Sequence, residues 1–435
     1  MDRLNGLDTY PAVQDYLFSL KAKGVKFGID RMQVLAAEIG HPERAVPIIH
    51  LAGTNGKGST AAMLDAILRA SGQRVGLYTS PHLVRLGERV QVDREILTEA
   101  EIMAFTRQLI PVADRLGTRG EDDHPSFFEF MTAMAFMQFA RRECDIAVAE
   151  VGLGGELDAT NIVQPIVTAI TSIGFDHCEI LGHTHAEIAR AKAGIIKPGV
   201  PVVIGRMPAE AEAVVRARAV ALDCPIHSVR ETFESPGASY PETALEGDCQ
   251  RWNAGTATLV ARALPASFGV SKNTITTGLA AAQWPARWQR IPWGDNTLII
   301  DASHNPEGAE SLARNLVRLI AEIGEKPTIV VGALGVARAG ALMSVISQYA
   351  AEIHLVVPNQ ARSCSHAALR ELIPGDFTGE VFDDDVATLF SAHGMRQARR
   401  SGRSMVVTGS IYLAGEVMAQ LNPETGPGEG RLQDF

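Results

Sequence analysis

Two successive series of short apolar runs, separated by stretches of helical periodicity, predict an α/β protein built on parallel sheets in two domains. Two further features agree. A glycine-rich loop follows the first apolar run directly, and a join rich in proline and tryptophan near residue 290 divides one series from the next.

The first series reads Val46–Ala52, Val75–Tyr78, Ile146–Val151, Ile166–Ile173 and Val200–Ile204. Each run is almost continuously apolar, as a strand covered on both faces must be. Thr60–Ala70 and Phe127–Arg141 carry helical spacing between them, so right-handed β–α–β units are expected. The pattern restarts with Thr297–Ile300, Thr328–Val331, Ile353–Val357 and Met405–Val407. The expected organisation is a first domain over residues 1–286, a linker over 287–295 and a smaller domain over 296–435. The join Trp284–Gly294 holds two prolines and a glycine, which stop a helix. Glu231–Gly247 is polar and reads as an irregular loop or hairpin, and the tail from Pro423 reads as frayed.

Composition limits the function. The 435 residues carry a formal net charge of −10. That sign lacks the electrostatic footprint of a nucleic-acid binder, so an anionic ligand must be held by local devices. The five cysteines are odd in number and widely spaced, and no CxxC occurs. This argues against a disulfide scaffold and for a reducing compartment. The segment Met1–Lys26 has no apolar h-region, and no run reaches the roughly 18 apolar residues of a membrane span. The expectation is a cytoplasmic enzyme without nucleic-acid or membrane partners.

The strongest local signal is Gly53-Thr54-Asn55-Gly56-Lys57-Gly58-Ser59-Thr60, set between a strand and a helix. Glycines let successive N–H groups turn inward around phosphate oxygens, and the helix N-terminus adds partial positive charge. Lys57 can reach the β- and γ-phosphates, and Ser59 or Thr60 can offer a hydroxyl to Mg²⁺ or phosphate. The strict Walker spacing is not met, because position 51 is Leu and Gly58 separates Lys57 from Ser59. Thr54, Asn55, Gly56, Lys57, Gly58, Ser59 and Thr60 are therefore expected to bind the phosphates of a nucleotide, which the resemblance given below identifies as ATP.

Further motifs lie in order along the chain. They are Tyr78-Thr79-Ser80-Pro81-His82-Leu83 with Glu88-Arg89-Val90, then Glu150 to Asn161, then Gly174-Phe175-Asp176-His177 and Lys192-Ala193-Gly194-Ile195. Trp284-Pro285-Ala286-Arg287, Asp301-Ala302-Ser303-His304-Asn305-Pro306 and Val407 to Leu413 complete the series. Together with the GTNGKGS loop, these resemble the bifunctional dihydrofolate synthase/folylpolyglutamate synthase family of the Mur ligase superfamily. The resemblance is collinear from about residue 15 to 420.

The resemblance implies a Mur-ligase-like P-loop domain and a smaller C-terminal Rossmann-like domain with ATP between them. It implies an ATP-dependent carboxylate–amine ligase, in which an acyl phosphate of dihydropteroate or of a reduced folate is captured by L-glutamate. A monomer needing ATP and Mg²⁺ is expected. Glu150 ends a strand-like run, Ser80 and His177 each follow one, and the three can converge as a partial Mg²⁺ shell; by resemblance they match the family's metal ligands. Lys192 matches a lysine that the family carbamylates, although Ala191 stands where Glu is usual. Ser126, Phe127, Phe128 and Glu129, and Leu157, Asp158 and Ala159, match segments that bind the pteroate, with an aromatic ring available for stacking. Glu156 replaces a usual Arg. Asn253 can hydrogen-bond adenine or ribose. Arg287 can bind phosphate bidentately, and Asp301 and His304 match groups that reach ATP across the cleft. Lys57, Lys192, His304 and Arg287 are the expected catalytic residues.

Between Gly332 and Gly340 the chain reads Ala-Leu-Gly-Val-Ala-Arg-Ala, where the family usually has an acidic Asp-Lys-Asp-like segment. His177, Cys178, His183 and His185 are close in sequence but fit no structural zinc spacing. Two rival readings remain at this level. One is a Mur-type ligase for a different carboxylate acceptor, and the other is a P-loop ATPase switch.

Overall fold

The structure is a computed structural model and describes residues 6–20, 28–293, 295–391, 394 and 403–422. The tail from Pro423 lies outside the described residues.

The described strands are β1 (Ile48–Ala52), β2 (Val75–Tyr78), β3 (Val90–Val92), β4 (Glu95–Ile96), β5 (Ile146–Glu150), β6 (Val167–Ile170), β7 (Val202–Ile204), β8 (Ile226–Ser228), β9 (Gln289–Trp293), β10 (Asn296–Ile300), β11 (Thr328–Val331), β12 (Glu352–Leu355), β13 (Glu380–Asp383) and β14 (Met405–Thr408). They form an eight-stranded sheet in the order β4-β3-β2-β5-β1-β6-β7-β8 and a six-stranded sheet in the order β13-β12-β11-β14-β10-β9. Strands β2, β5, β1, β6, β7 and β8 run parallel; β3 and β4 add an antiparallel hairpin at one edge. The second sheet is parallel except for β9, which pairs antiparallel with β10.

The period-two rule of a strand sorts β1 between two cores. Ile49 and Leu51 join the cluster containing the helix Lys57–Ala70, while Ile48 joins the cluster containing the helix Phe127–Arg141. His50 therefore points into a core, fully buried, with Nε2 2.8 Å from the Thr160 hydroxyl. In the second unit the helix Pro306–Ile323 turns Ala309, Leu312, Leu316 and Leu319 onto the sheet at helical spacing. Truncating one of these fully buried leucines to Ala should cost about 2–5 kcal/mol.

The segment 287–295, expected as a linker, contributes β9 to the second sheet. Its proline suits an edge strand, because Pro292 needs to donate no ladder hydrogen bond there. Residues Val229–Phe233 form a short helix capped by Ser228, so the irregular stretch begins only after Phe233. Helix Gln250–Ala263 then packs against helix Lys57–Ala70 and backs the glycine-rich loop.

The carboxyl ends of β1, β5, β6, β10 and β14 face a common cleft of about 970 Å³ between the two sheets. That is where open parallel sheets place ligands. Asn55 and Asn305 exchange reciprocal side-chain hydrogen bonds of 3.2 and 3.0 Å across it, and Phe175 N donates to Glu307 Oε1 at 2.9 Å.

Candidate active site

The glycine-rich loop leaves β1 and enters helix Lys57–Ala70 at Gly56, whose φ of +86° is left-handed. A Cβ at Gly56 would stand 2.2 Å from Asn253 Oδ1, so both conformation and space require glycine there. No side chain caps this helix, which leaves its first N–H groups available to an anion in the cleft. The loop is tied to the end of β6: Thr54 N donates to Ser172 O and Asn55 N to Ser172 Oγ, both at 2.9 Å. Lys57 Nζ curls back to Gly53 O at 3.1 Å and Thr54 O at 3.2 Å, and lies 3.8 Å from Glu150 Oε1. The hydroxyls of Ser59 and Thr60 are buried without a hydrogen-bond partner.

Glu150 closes β5, and its Oε2 accepts a 3.3 Å hydrogen bond from Ser80 N. Ser80 Oγ is itself buried and unpartnered. Burial pushes the Glu150 carboxyl up, while Lys57, the Ser80 N–H, Arg287 and Arg89 act in the opposite sense. An orphaned hydroxyl beside a carboxylate surrounded by cations is a donor set that fits a hard divalent cation. His177 lines the same cleft in a left-handed conformation, with Nε2 3.9 Å from Asp176 Oδ1. Burial lowers its pKa to about 4, so the ring is neutral at pH 7 and able to ligate a metal. Among the described residues no group of three or more His, Cys, Asp or Glu is placed to hold a metal ion. A cation here would take its remaining ligands from water and phosphate.

Lys192 sits in the last turn of helix His185–Ala193, 5% exposed, and donates from Nζ to Gly53 O at 2.9 Å. The loop after β5 packs directly on this turn. A Cβ at Gly155 would meet the Lys192 carbonyl oxygen at 2.8 Å. Burial, then the neighbouring Lys57 charge, lowers the Lys192 amine from 10.5 to about 7.

From the second unit, Arg287 and His304 line the cleft. His304 Nδ1 lies 2.8 Å from Ala302 O and its Nε2 lies 3.4 Å from Asp176 Oδ2, so both ring nitrogens face oxygen acceptors. Asp301 also lines the cleft, but both its oxygens are engaged: Oδ2 by Trp288 N at 3.0 Å and Oδ1 by Ser303 N at 3.1 Å. Its carboxylate thus shapes the turn that carries Arg287. Asn253 donates to Gln250 Oε1 at 3.0 Å and lines the cleft beside the glycine loop.

The segments expected at the acceptor site behave differently from one another. Ser126 and Glu129 form a reciprocal capping box on helix Phe127–Arg141, and Glu129 is ion-paired with Arg31 at 2.8 Å. Phe127 is buried beneath the Arg89 guanidinium, 5.1 Å from its centroid. Asp158 is buried and turns inward, accepting from Leu153 N and Thr160 N at 2.9 Å each, while Ala159 is buried beside it. Only Phe128, half-buried, and Leu157, 50% exposed, present apolar surface. The S-x-x-E pattern at 126–129 is itself a cap signature, so the sequence held the local reading. Asp158→Ala should leave Leu153 N and Thr160 N unsatisfied and cost roughly 2–4 kcal/mol, seen as a lower melting temperature. A variant of unchanged stability and raised acceptor KM would instead make Asp158 a direct contact.

The sequence reading left Asp176, Arg338 and Tyr412 without roles. Asp176 is flanked by His177, His304 and Arg338, whose NH2 lies 3.2 Å from its Oδ1. Burial works against its charge, yet a hydrogen bond from His304, with the Arg338 guanidinium beside it, holds the carboxyl well below the usual range. Arg338 is the one cation of the atypical segment between Gly332 and Gly340, which was the signal available for it.

A glycine-loop sheet facing a second parallel sheet across a cation-lined cleft defines an ATP-dependent amide ligase of the Mur type. Residues 51–216 match the Mur ligase middle domain. The chain is 33% identical over 413 residues to the folylpolyglutamate synthase of Lacticaseibacillus casei, covering 90% of this chain and 94% of that one. It is 33% identical over 421 residues to the dihydrofolate synthase/folylpolyglutamate synthase of Bacillus subtilis, covering 92% and 96%. The structure is similar to that of the Mycobacterium tuberculosis folylpolyglutamate synthase complexed with ADP and AMPPCP, with a TM-score of 0.83, 28% identity and coverage of 96% and 100%. The chain belongs to the dihydrofolate synthase/folylpolyglutamate synthase family. Among its described residues no helix is long and apolar enough to cross a membrane.

Proposed function

We propose that this chain couples ATP cleavage to amide formation between the amine of L-glutamate and the carboxylate of dihydropteroate or of a folate that already carries glutamate. The observation that supports this most directly is a single cleft where an uncapped helix N-terminus, Lys57 and the Ser80–Glu150 pair face Arg287 and His304. Two anions must meet for a carboxylate to be phosphorylated, and this concentration of donors and cations answers that need. The ADP and AMPPCP bound to the mycobacterial relative agree with ATP as the nucleotide.

In this reading the acceptor carboxylate attacks the γ-phosphorus, and the bond to the ADP oxygen breaks. The glutamate amine then attacks the acyl carbon, phosphate leaves, and the amine gives up a proton. Loop N–H groups, Lys57 and the Ser59 and Thr60 hydroxyls hold the triphosphate. Ser80, Glu150 and His177 would hold Mg²⁺, which when bound neutralises phosphate charge. Arg287 steadies the transferring phosphoryl group from the opposite wall. His304, with Nε2 3.4 Å from Asp176 Oδ2, lies on the same wall and helps place the incoming amine. Asn253 lies beside the loop, within reach of the nucleoside, and Asp301 sets the Arg287 turn. Phe128 and Leu157 offer apolar surface to the flat acceptor. Closure of the cleft keeps water from the acyl phosphate.

A coupled assay for ADP, run with ATP and L-glutamate and separately with dihydropteroate and tetrahydrofolate, tests the proposal. Glutamate-dependent ADP release is expected with both acceptors. Release with only one would reduce the activity to a single reaction, and release with neither would overturn the folate assignment.

A further inference from the structure

Arg287 is carried on a backbone that ordinary residues avoid. Ala286 has a φ of +55° and Trp288 a φ of +51°, so a non-glycine residue in the left-handed region flanks the arginine on each side. There the Cβ crowds the following carbonyl oxygen, and such a conformation persists only where its surroundings impose it. Here they do. Ala286 is fully buried in the cluster that holds Leu298 and Ile300, whereas Trp288 is buried in the cluster that holds Ile299 and Leu312. The two neighbours of Arg287 are therefore sunk into opposite faces of the second sheet at β10. Hydrogen bonds complete the hold. Ala286 N donates to Gln289 Oε1 at 3.0 Å, Ala302 N donates to Ala286 O at 3.1 Å, and Trp288 N donates to Asp301 Oδ2 at 3.0 Å. The other end of the join rests on the phosphate-loop helix, where a Cβ at Gly58 would stand 2.8 Å from Trp284 Nε1.

We propose that Ala286 and Gln289 are positioning residues that hold Arg287 in one orientation at the cleft, so that its guanidinium meets the transferring phosphoryl group without reorganising. The proposal rests on the ligase reading above. A long side chain on a loose backbone must be ordered at every turnover, whereas a fixed Cα leaves it less freedom to lose. Alanine serves this better than glycine. Its buried methyl anchors position 286 in the core, and its Cβ closes off most of the conformations that glycine would sample. Gln289, the first residue of β9, ties the same position to the sheet.

Ala286→Gly places at φ +55° the one residue at ease there, so its melting temperature should stay within about 3 °C of the wild type. Its kcat should nevertheless fall by roughly tenfold, because a displaced catalytic group loses rate steeply with distance. The KM values for ATP and glutamate should stay within about twofold, as expected when the weakened interaction belongs to the transition state. Gln289→Leu, which removes the acceptor for Ala286 N and fills its place, is the second variant and should lower kcat in the same sense. Each is then combined with Arg287→Ala. In that background either change should lower kcat by less than about twofold further, because the group through which it acts is gone. A normal kcat in both single variants, or an undiminished fall in the Arg287→Ala background, would overturn the proposal. A wild-type enzyme that releases no ADP with glutamate and either acceptor would overturn the ligase reading itself.

Discussion

Lys57→Ala is expected to lower kcat by about 10²–10³-fold while leaving the melting temperature within a few degrees of the wild type. The size follows from removing one preorganised cation where charge moves between phosphate oxygens, a loss of about 3–4 kcal/mol in transition-state stabilisation. Stability should change little because Nζ hydrogen-bonds carbonyls of its own loop, Gly53 O and Thr54 O, which can turn to water in the open cleft, and because Glu150, its ion-pair partner at 3.8 Å, can take up a proton instead. A secondary effect sharpens the test. Lys57 is the strongest influence opposing the burial that raises the Glu150 carboxyl. Without it, Glu150 should bind a proton more readily, so the variant should lose activity more steeply than the wild type as pH falls. Steady-state ADP release and calorimetric ATP binding across pH 6–9 would measure both effects. Near-normal turnover in a folded variant would remove Lys57 from the chemistry.

The parts of this fold legible in the sequence are those where one physical constraint acts alone. β2 and β11 read correctly to the residue because buried parallel strands are continuous apolar runs, and helix Phe127–Arg141 reads correctly from its helical periodicity. The short strands β3, β4, β8, β9 and β13 were not legible. Each stands on or near an edge, where half-exposed positions such as Glu95, His227 and Glu380 carry no apolar signal. The glycine loop was legible because its conformation depends on residue type, as Gly56 shows. The Ser80–Glu150 contact was anticipated only as convergence on a sheet edge, which topology supplied. Asp158 and Glu129 show the opposite case. A motif can name a carboxylate without revealing that its oxygens are spent on N–H groups or on Arg31. Asp176, Arg338 and Tyr412 come from separate strand ends far apart in sequence. Their meeting depends on how the two sheets face each other, and no local pattern encodes that.

Lys192 carries the other large effect. Its amine and that of Lys57 share the Gly53 carbonyl oxygen, so two ammonium groups would repel across one acceptor. Burial and that repulsion together bring Lys192 to about 7, whereas an exposed lysine is almost wholly protonated at neutral pH. The neutral amine is the form that attacks CO₂: a nitrogen–carbon bond forms, a proton leaves, and the product is an anionic carbamate. Exchanging a positive for a negative charge turns the repulsion from Lys57 into attraction and places an anion in the cleft that Glu150 also lines. We propose that Lys192 is carbamylated in the active protein. The amine is protonated below about pH 7, so activity in CO₂-depleted buffer should fall as pH drops through that value and should recover on adding bicarbonate. Lys192→Ala should lower kcat by about 10²-fold and abolish both the bicarbonate response and the carbamate carbonyl signal in ¹³C spectra after labelling with ¹³C-bicarbonate. A wild-type protein that is fully active without CO₂ and shows no such signal would leave Lys192 as a buried amine whose single role is to hold Gly53 in place.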